Sequence, residues 1–445
     1  MSSKKTRIKT FTADAILVNK ITKAVLGTAI KDQMKEFEAL RDSVPRSVFP
    51  EIADYKGTSA FIVKGLRRCG KSTLLKQIIE AKFRGDFYYF NFDDERIFGF
   101  GAEDFQTLME AFIEQFGKRK NVFFDEIQNI KGWELFVNRI LRQGYRVFIT
   151  GSNANLLSKE LGTHLTGRHV DIELYPFSFT EFLNANNAKI PKKAFYSTEE
   201  KALFSKKFKE YLEKGGMPEA IVFSNDAVLS QVVNDIIQKD IVNRHNVRKP
   251  AELKAVLKFL IANTANTITY RSIINNFKIR SPNTVQKYVE YAEETYLAFT
   301  LHRYEKKLKN FDKNPKKIYC VDNGILRKNA SSINEKKGAM LESIVAVQLR
   351  RLGKEVYYFK GKTSGAECDF ILPKENKAIQ VCYALNQNNQ ERETKGLLEA
   401  MDKLNAKEGL ILTLDQEQQL GKGITIKPAW QWLLENEPPE NQKKR

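Results

Sequence analysis

The chain has 445 residues, 42% hydrophobic and 29% charged, a globular balance in a chain too long for one core and sized for about three domains. Lys and Arg outnumber Asp and Glu by 73 to 54, a formal charge of +19 that favours polyanionic partners such as nucleic acid, nucleotide or anionic lipid without choosing among them. Four scattered cysteines, Cys69, Cys320, Cys368 and Cys382, form no CxxC pair, which argues against a disulfide framework or zinc site; no run reaches the roughly 18 apolar residues of a membrane span, Asp14 interrupts any signal-peptide core, and a reducing cytoplasm is the expected location.

Residues 1–50 read as an N-terminal helical extension, with Ile16, Ile21, Val25, Phe37 and Leu40 at helical spacing ahead of Pro45 and Pro50. From Ser59 the apolar runs 60–63, 87–90, 122–124 and 147–149 alternate with amphipathic helices. That is the pattern of a parallel sheet covered on both faces, expected over residues 51–190. A helical lid follows over 191–250. Residues 251–321 carry three short helix patterns, 251–264, 270–277 and 282–295, the last opened by Ser281 as cap and Pro282 at the first helical position. With the apolar stretch 296–302, the lysine-rich run Arg303–Lys317 and a strand over 317–321, they predict a winged helix-turn-helix. Residues 322–436 read as a separate α/β unit: helix 340–352, strands 356–359, 368–372 and 378–382, helix 391–404 and strand 409–413. The tail 437–445 has two prolines and no apolar residue, a disordered composition.

The chemistry concentrates in the first α/β unit. Gly65, Leu66, Arg67, Arg68, Cys69, Gly70, Lys71 and Ser72 match G-x-x-x-x-G-K-[ST] between a strand and a helix that opens at Thr73. A chance glycine turn would not have strand and helix where phosphate binding needs them. Backbone N–H groups and the helix N-terminus would cradle phosphates, Lys71 would neutralise them, and Ser72 would ligate Mg²⁺. Asp125 and Glu126 end an apolar strand. The first would complete the metal shell and the second would polarise the attacking water. Ser152, with Asn153 behind it, follows the next strand and is expected to sense the γ-phosphate. Arg168 stands where a finger would stabilise transition-state charge, against the plainer reading of a surface ion pair. Asp93 and Asp94 would orient water or cap a loop.

These residues carry a resemblance. The segment 65–72, Asp125-Glu126-Ile127-Gln128 with Trp133, Thr150-Gly151-Ser152-Asn153, Thr166-Gly167-Arg168, the Pro-Phe-Ser-Phe-Thr-Glu-Phe stretch 176–182 and Gly215-Gly216-Met217-Pro218-Glu219 resemble prokaryotic AAA-type ATPases whose ATPase is followed by a conserved domain of unknown function. The likeness continues through Lys239-Asp240-Ile241 and Val321-Asp322-Asn323-Gly324 and covers about 90% of the chain; it implies ATP binding and a fold, and supplies no partner. Separately, Glu342, Asp369 and Gln380 resemble a PD-(D/E)xK nuclease arrangement. Cys382 stands where that pattern has its lysine, and a thiol cannot replace an ammonium that orients water and steadies the phosphorane. Binding without cleavage is therefore expected, with Lys360 the alternative source of the lysine.

The reading is an α/β P-loop ATPase of AAA type with helical lid, winged helix and nuclease-like unit, using ATP and Mg²⁺, with DNA as a candidate partner and a homo-oligomer left open. Its rival is an ATP-regulated DNA-binding or protein-interaction module with little turnover.

Overall fold

The computed structural model describes residues 21–39, 43–48, 59–152, 168–190, 196–305, 314–329 and 336–437. Helix α1 (Lys23–Glu38), capped by the Thr22 hydroxyl, is what the described residues show of the N-terminal extension. It lies against the first α/β unit, where the Gln33 side chain donates to the Asn91 carbonyl at 3.0 Å.

Five parallel strands form the first sheet in the order β2-β3-β4-β1-β5: β1 (Ala60–Gly65), β2 (Tyr88–Asn91), β3 (Asn121–Asp125), β4 (Arg146–Gly151) and β5 (His169–Leu174). Interior β1 is buried at every position, as a strand covered on both faces must be. Helix α2 (Lys71–Ile78) leaves β1, α3 (Phe105–Phe116) follows β2, and α4 (Trp133–Arg142) follows β3. Across one face Phe61, Phe148 and Phe123 stack with centroids 5.0 and 4.5 Å apart, which locks the relative heights of β1, β4 and β3. Their C-terminal ends therefore reach the same edge, where ligands bind in open parallel sheets. The four strands read from apolar runs are present. β5 escaped that reading because it is an edge strand of half-exposed, alternating His-Val-Asp-Ile-Glu-Leu rather than a solid apolar run.

Helix α5 (Phe179–Ala185) ends the first α/β unit, and the span expected to be a lid, 191–250, holds α6 (Thr198–Lys214), the short α7 (Pro218–Val222) and α8 (Ala227–Asp235), which runs into a π-helical turn at Ile236–Val242. Ser178–Glu181 and Ser197–Glu200 form capping boxes at α5 and α6. Next come α9 (Pro250–Ala262), α10 (Tyr270–Phe277) and α11 (Pro282–Glu294), with an antiparallel sheet β6-β8-β7 made from β6 (Thr267–Ile268), β7 (Ala298–Leu301) and β8 (Lys316–Cys320). The three helices and β8 stand where the sequence put them, and β7 falls within the apolar stretch 296–302.

In the C-terminal unit α12 (Asn323–Asn329) and α13 (Lys337–Arg351) precede a mixed sheet of order β13-β14-β12-β11-β10-β9. Its strands are β9 (Tyr357–Lys360), β10 (Glu367–Leu372), β11 (Lys377–Val381), β12 (Gly409–Thr413), β13 (Gln418–Leu420) and β14 (Ile424–Pro428). Helix α14 (Gln390–Leu404) packs on β10 and β11, and α15 (Ala429–Glu435) closes the chain's described part. β13, β14 and α15 lay beyond the sequence reading. The tail from 438 lies outside the described residues, while Glu437 accepts a hydrogen bond from the Ser178 hydroxyl at 2.6 Å. No helix among the described residues is long and apolar enough to cross a membrane.

Three sequence motifs meet at one buried junction. Phe177 donates its N–H to the Gly216 carbonyl at 2.7 Å, and Gly216 donates its own to Asp322 at 2.6 Å. A side chain at Gly216 would strike the Phe177 carbonyl at 2.3 Å, so this approach requires glycine. Burial pushes the Asp322 carboxyl up to about 6 despite the backbone N–H groups of Gly216, Ile325 and Gly324 that favour its charged form. Arg351 adds a bond to the Pro176 carbonyl at 2.7 Å. The first α/β unit, the helices after it and the C-terminal unit are thus joined through buried polar contacts rather than through apolar packing alone.

Candidate nucleotide site

The β1 turn delivers the glycine-rich loop. Arg68 and Gly70 take left-handed backbone angles, φ 61° and 98°, and α2 begins immediately at Lys71. For Gly70 the angle is one that only glycine adopts without cost. The Lys71 ammonium is buried, donates to the Gly65 and Leu66 carbonyls at 3.2 Å each, and lies 3.7 Å from Glu126 Oε1. The side chains of Leu66 and Cys69 are fully buried; Cys69 Sγ points to the Leu174 carbonyl at 3.3 Å. Those two residues can offer a ligand only their backbone.

At the end of β3, Asp125 is 1% exposed and receives hydrogen bonds from the Thr150 hydroxyl and from Tyr89 Oη, the latter at 3.2 Å. Burial pushes its carboxyl above the ordinary value, and the Glu126 charge adds to this, while hydrogen bonds from Ser72 and Thr150 and the nearby Lys71 oppose it. Glu126 itself takes a left-handed conformation, φ 53° and ψ 37°, an unfavoured state for this residue type of the sort found at functional sites. Gln128 Nε2 donates to Glu126 Oε2 at 2.5 Å and the Thr150 hydroxyl accepts the Glu126 N–H at 3.0 Å.

A cavity of about 640 Å³ opens over this cluster. Its lining is polar at Arg67, Arg68, Gly70, Lys71, Ser72, Thr73, Asp93, Asp125 and Glu126 and apolar at Val44, Pro218, Val222 and Phe223. A volume of that size lined by charged and apolar groups together suits a nucleotide.

Two placements differ from the sequence expectations. Ser152, the favoured sensor, is 1% exposed and donates to Asp240 of the lid at 3.3 Å, whereas Thr150 is the polar residue bonded to Asp125 and Glu126. Asn153 lies outside the described residues. Arg168 is exposed at the start of β5, bonded through its carbonyl to the Ala60 N–H at 2.9 Å, and does not line the cavity. Asp94 caps a loop and pairs with Arg96 at 2.7 Å, which holds its carboxyl down at about 2, while Asp93 reaches the cavity.

Sequence reasoning missed Arg46. Its buried guanidinium donates to the Cys69 carbonyl at 2.7 Å, the Tyr175 carbonyl at 2.5 Å and Glu181 at 3.0 Å, bracing the loop at the cavity wall. A lone arginine between Pro45 and Ser47 carries no spacing that would have marked it.

A second buried cluster lies between β8 and the C-terminal sheet. The Lys317 ammonium, 3% exposed, meets Asp369 at 2.7 Å, Glu342 at 2.8 Å and Glu367 at 3.0 Å. Tyr319 Oη donates to Glu342 at 2.6 Å, and Gln380 accepts the Asp369 N–H at 3.2 Å. Burial, reinforced by Asp369, pushes Glu342 up to about 8. Burial alone would lower Lys317, but Asp369 and Glu342 hold it well above its ordinary value. Lys360, the alternative lysine suggested by the sequence, is half-exposed and reaches Glu367 at 3.5 Å, not Asp369 or Glu342, among the described residues. The ammonium comes from β8 instead, 65 residues ahead of Cys382 in a different sheet.

Comparison with known proteins finds three matching regions along the chain. An AAA domain matches residues 57–183, a domain of unknown function (DUF8612) matches 205–337 and another (DUF4143) matches 337–432. An uncharacterized protein of Methanocaldococcus jannaschii, MJ1544, is 36% identical over 399 residues, 84% of this chain and 88% of the relative. The chain belongs to the family of that protein. An uncharacterized protein of Haemophilus influenzae, 33% identical over 405 residues, 86% of this chain and 97% of its own length, shares the likeness. The family therefore has an AAA-type P-loop domain followed by two domains of unknown function. Among solved structures, the replication initiator DnaA bound to AMPPCP and single-stranded DNA aligns over 56% of this chain and 86% of its own at 15% identity, TM-score 0.28. AMPPCP-bound DnaA from Aquifex aeolicus aligns over 63% and 93% at 16% identity, TM-score 0.23. Neither likeness is close enough to carry an argument.

Proposed function

We propose that this protein is a Mg²⁺-dependent ATPase whose turnover moves the lid and the C-terminal units relative to the P-loop domain. The observation that carries this is the convergence of Lys71, Asp125 and Glu126 at one end of a nucleotide-sized cavity. Ser72 and Asp125 offer a hydroxyl and a carboxylate, hard oxygen donors that suit Mg²⁺ when phosphate and water complete the shell. A bound Mg²⁺ would neutralise phosphate charge. The loop backbone and α2 N-terminus hold the phosphates, Lys71 offsets their charge, and Glu126 orients a water for in-line attack. Val222, Phe223 and Pro218 belong to the lid, so a nucleotide in the cavity touches both units at once.

Residues 251–321 we read as a winged helix-turn-helix that binds duplex nucleic acid. Three helices with a three-stranded antiparallel sheet support the reading, as do the exposed Lys278, Arg280 and Lys287 on and before α11. The cationic run reads differently at its two ends: Arg303 donates to the Lys360 carbonyl, and Lys317 is buried among acids. Residues 306–313, with Lys306, Lys307 and Lys309, lie outside the described residues. In the C-terminal unit the Lys317 ammonium takes the place a cation would need among Glu342, Glu367 and Asp369, so we read that unit as a docking element that does not cleave.

ATP turnover measured alone and with DNA, RNA or protein fractions tests the proposal. No turnover with retained ATP binding would leave a nucleotide-controlled switch. Reversing the charges of Lys278, Arg280 and Lys287 should flatten the logarithmic salt dependence of duplex binding by about one unit for each phosphate no longer neutralised. An unchanged slope would remove this face from the nucleic-acid reading. Arg168→Ala should reduce turnover more than ATP affinity, because a finger acts on charge that develops in the transition state. Since Arg168 lies off its own cavity, mixing the variant with wild type should reveal whether it serves a neighbouring copy; equal losses in rate and affinity would reduce it to a ground-state contact.

A further inference from the structure

Lys239-Asp240-Ile241 is a sequence motif to which the site above gives no chemical role beyond the Ser152 contact. Asp240 lies in the π-helical turn Ile236–Val242 of the lid and is 2% exposed. Arg67 grips it with a two-pronged fork, Nε to Oδ2 at 2.9 Å and Nη2 to Oδ1 at 3.0 Å, and the Ser152 hydroxyl donates to Oδ1 at 3.3 Å. One lid carboxylate thus holds a residue of the glycine-rich loop and a residue following β4. We propose that Asp240 is a positioning residue for nucleotide hydrolysis, fixing the Arg67 guanidinium against the phosphate end of the cavity; this rests on the ATPase reading.

Arg67 lines that end of the cavity together with Lys71 and Glu126. Its fork engages Nε and Nη2 on Asp240, which directs the remaining Nη1 edge away from the lid carboxylate. A guanidinium is planar, so fixing two of its nitrogens fixes the third. Asp240 raises the Arg67 pKa through the hydrogen bond and its charge, against burial, and the nearby Glu126 and Asp93 charges add to this. The neighbouring Arg68 is drawn the same way, to Glu219 at 3.4 Å and Asp235 at 3.3 Å. Lid and loop are therefore registered at consecutive residues. A π-helical turn sets side chains out of the ordinary helical phase and recurs at functional sites.

A plain structural staple would bind the same groups, so the test reads kinetics and coupling. Turnover of ATP and affinity for a fluorescent ATP analogue are measured for wild type, Asp240→Asn, Arg67→Ala and the double variant. Asp240→Asn should lower kcat roughly 10- to 100-fold with affinity little changed, since a misplaced charge mainly affects the transition state. In the Arg67→Ala background the same change should cost nothing further. Asp240→Glu, which keeps the charge and shifts it by one methylene, should lose turnover while keeping the wild-type melting temperature, and serves if Asp240→Asn does not fold. Wild-type kcat in both Asp240 variants, or a loss that adds fully to that of Arg67→Ala, overturns the inference alone. A wild-type chain that neither binds nor turns over ATP overturns the ATPase reading and this inference with it.

Discussion

Glu126→Gln is expected to keep ATP binding while turnover falls by about 100- to 10,000-fold, the usual contribution of a positioned general base. The glutamine retains the shape that Gln128 and the left-handed backbone hold in place, and loses only the charge that draws a proton from water. Lys71→Ala should act differently. It removes a buried ammonium that lies against the glycine-loop carbonyls and Glu126, and with it the charge that offsets the phosphates, so affinity for ATP should fall first. Equilibrium binding of an ATP analogue and single-turnover hydrolysis separate the two effects. Wild-type hydrolysis by a folded Glu126→Gln protein would assign the base elsewhere, and Thr150, bonded to both acids of the strand, would then need testing as a water-orienting group.

The parts of this fold that were legible in sequence are those with local, repetitive physics. The strands at 60–63, 122–124 and 147–149 are solid apolar runs because both faces of the sheet are covered, and Ser281-Pro282 marks a helix start wherever it stands. β5 and β13 were missed because edge strands alternate or lie exposed, which weakens the apolar signal. The glycine loop, Lys71 and the Asp125-Glu126 pair come from contiguous segments, so spacing alone brings them together on the page. Arg46, Asp240 and Lys317 act through bonds to residues 23, 173 and 52 positions away respectively, and no periodicity encodes such pairings. Ser152 shows the same limit from the other side: its position after β4 was correctly read, but which acid it bonds depends on how the lid folds back.

Lys317→Ala should lower the free energy of unfolding by about 3–5 kcal/mol, the usual cost of breaking a buried ion pair from one side. The cause is less the missing attraction than what remains: Glu342, Glu367 and Asp369 would face one another with no cation between them. The pH dependence gives the argument its sign. Burial and the Asp369 charge push the Glu342 carboxyl up to about 8 in the folded chain, against an ordinary 4.5, so between those values the folded state binds the proton more tightly than the unfolded one. Stability from this group is fully present at low pH and is lost as pH rises towards 8. Removing Lys317 takes away a charge that opposed this shift, so the variant's deficit should be larger at pH 8 than at pH 5. Adding Glu342→Gln and Asp369→Asn to Lys317→Ala should recover much of the loss, because the two buried acids then need no counter-ion and the part-exposed Glu367 keeps Lys360 at 3.5 Å. Urea denaturation of the three proteins at both pH values is the measurement. A deficit that is the same at pH 5 and pH 8, and that the two neutralising substitutions leave untouched, would falsify the view that Lys317 is the cation of this site and would reduce it to a packing residue at the seam between the sheets.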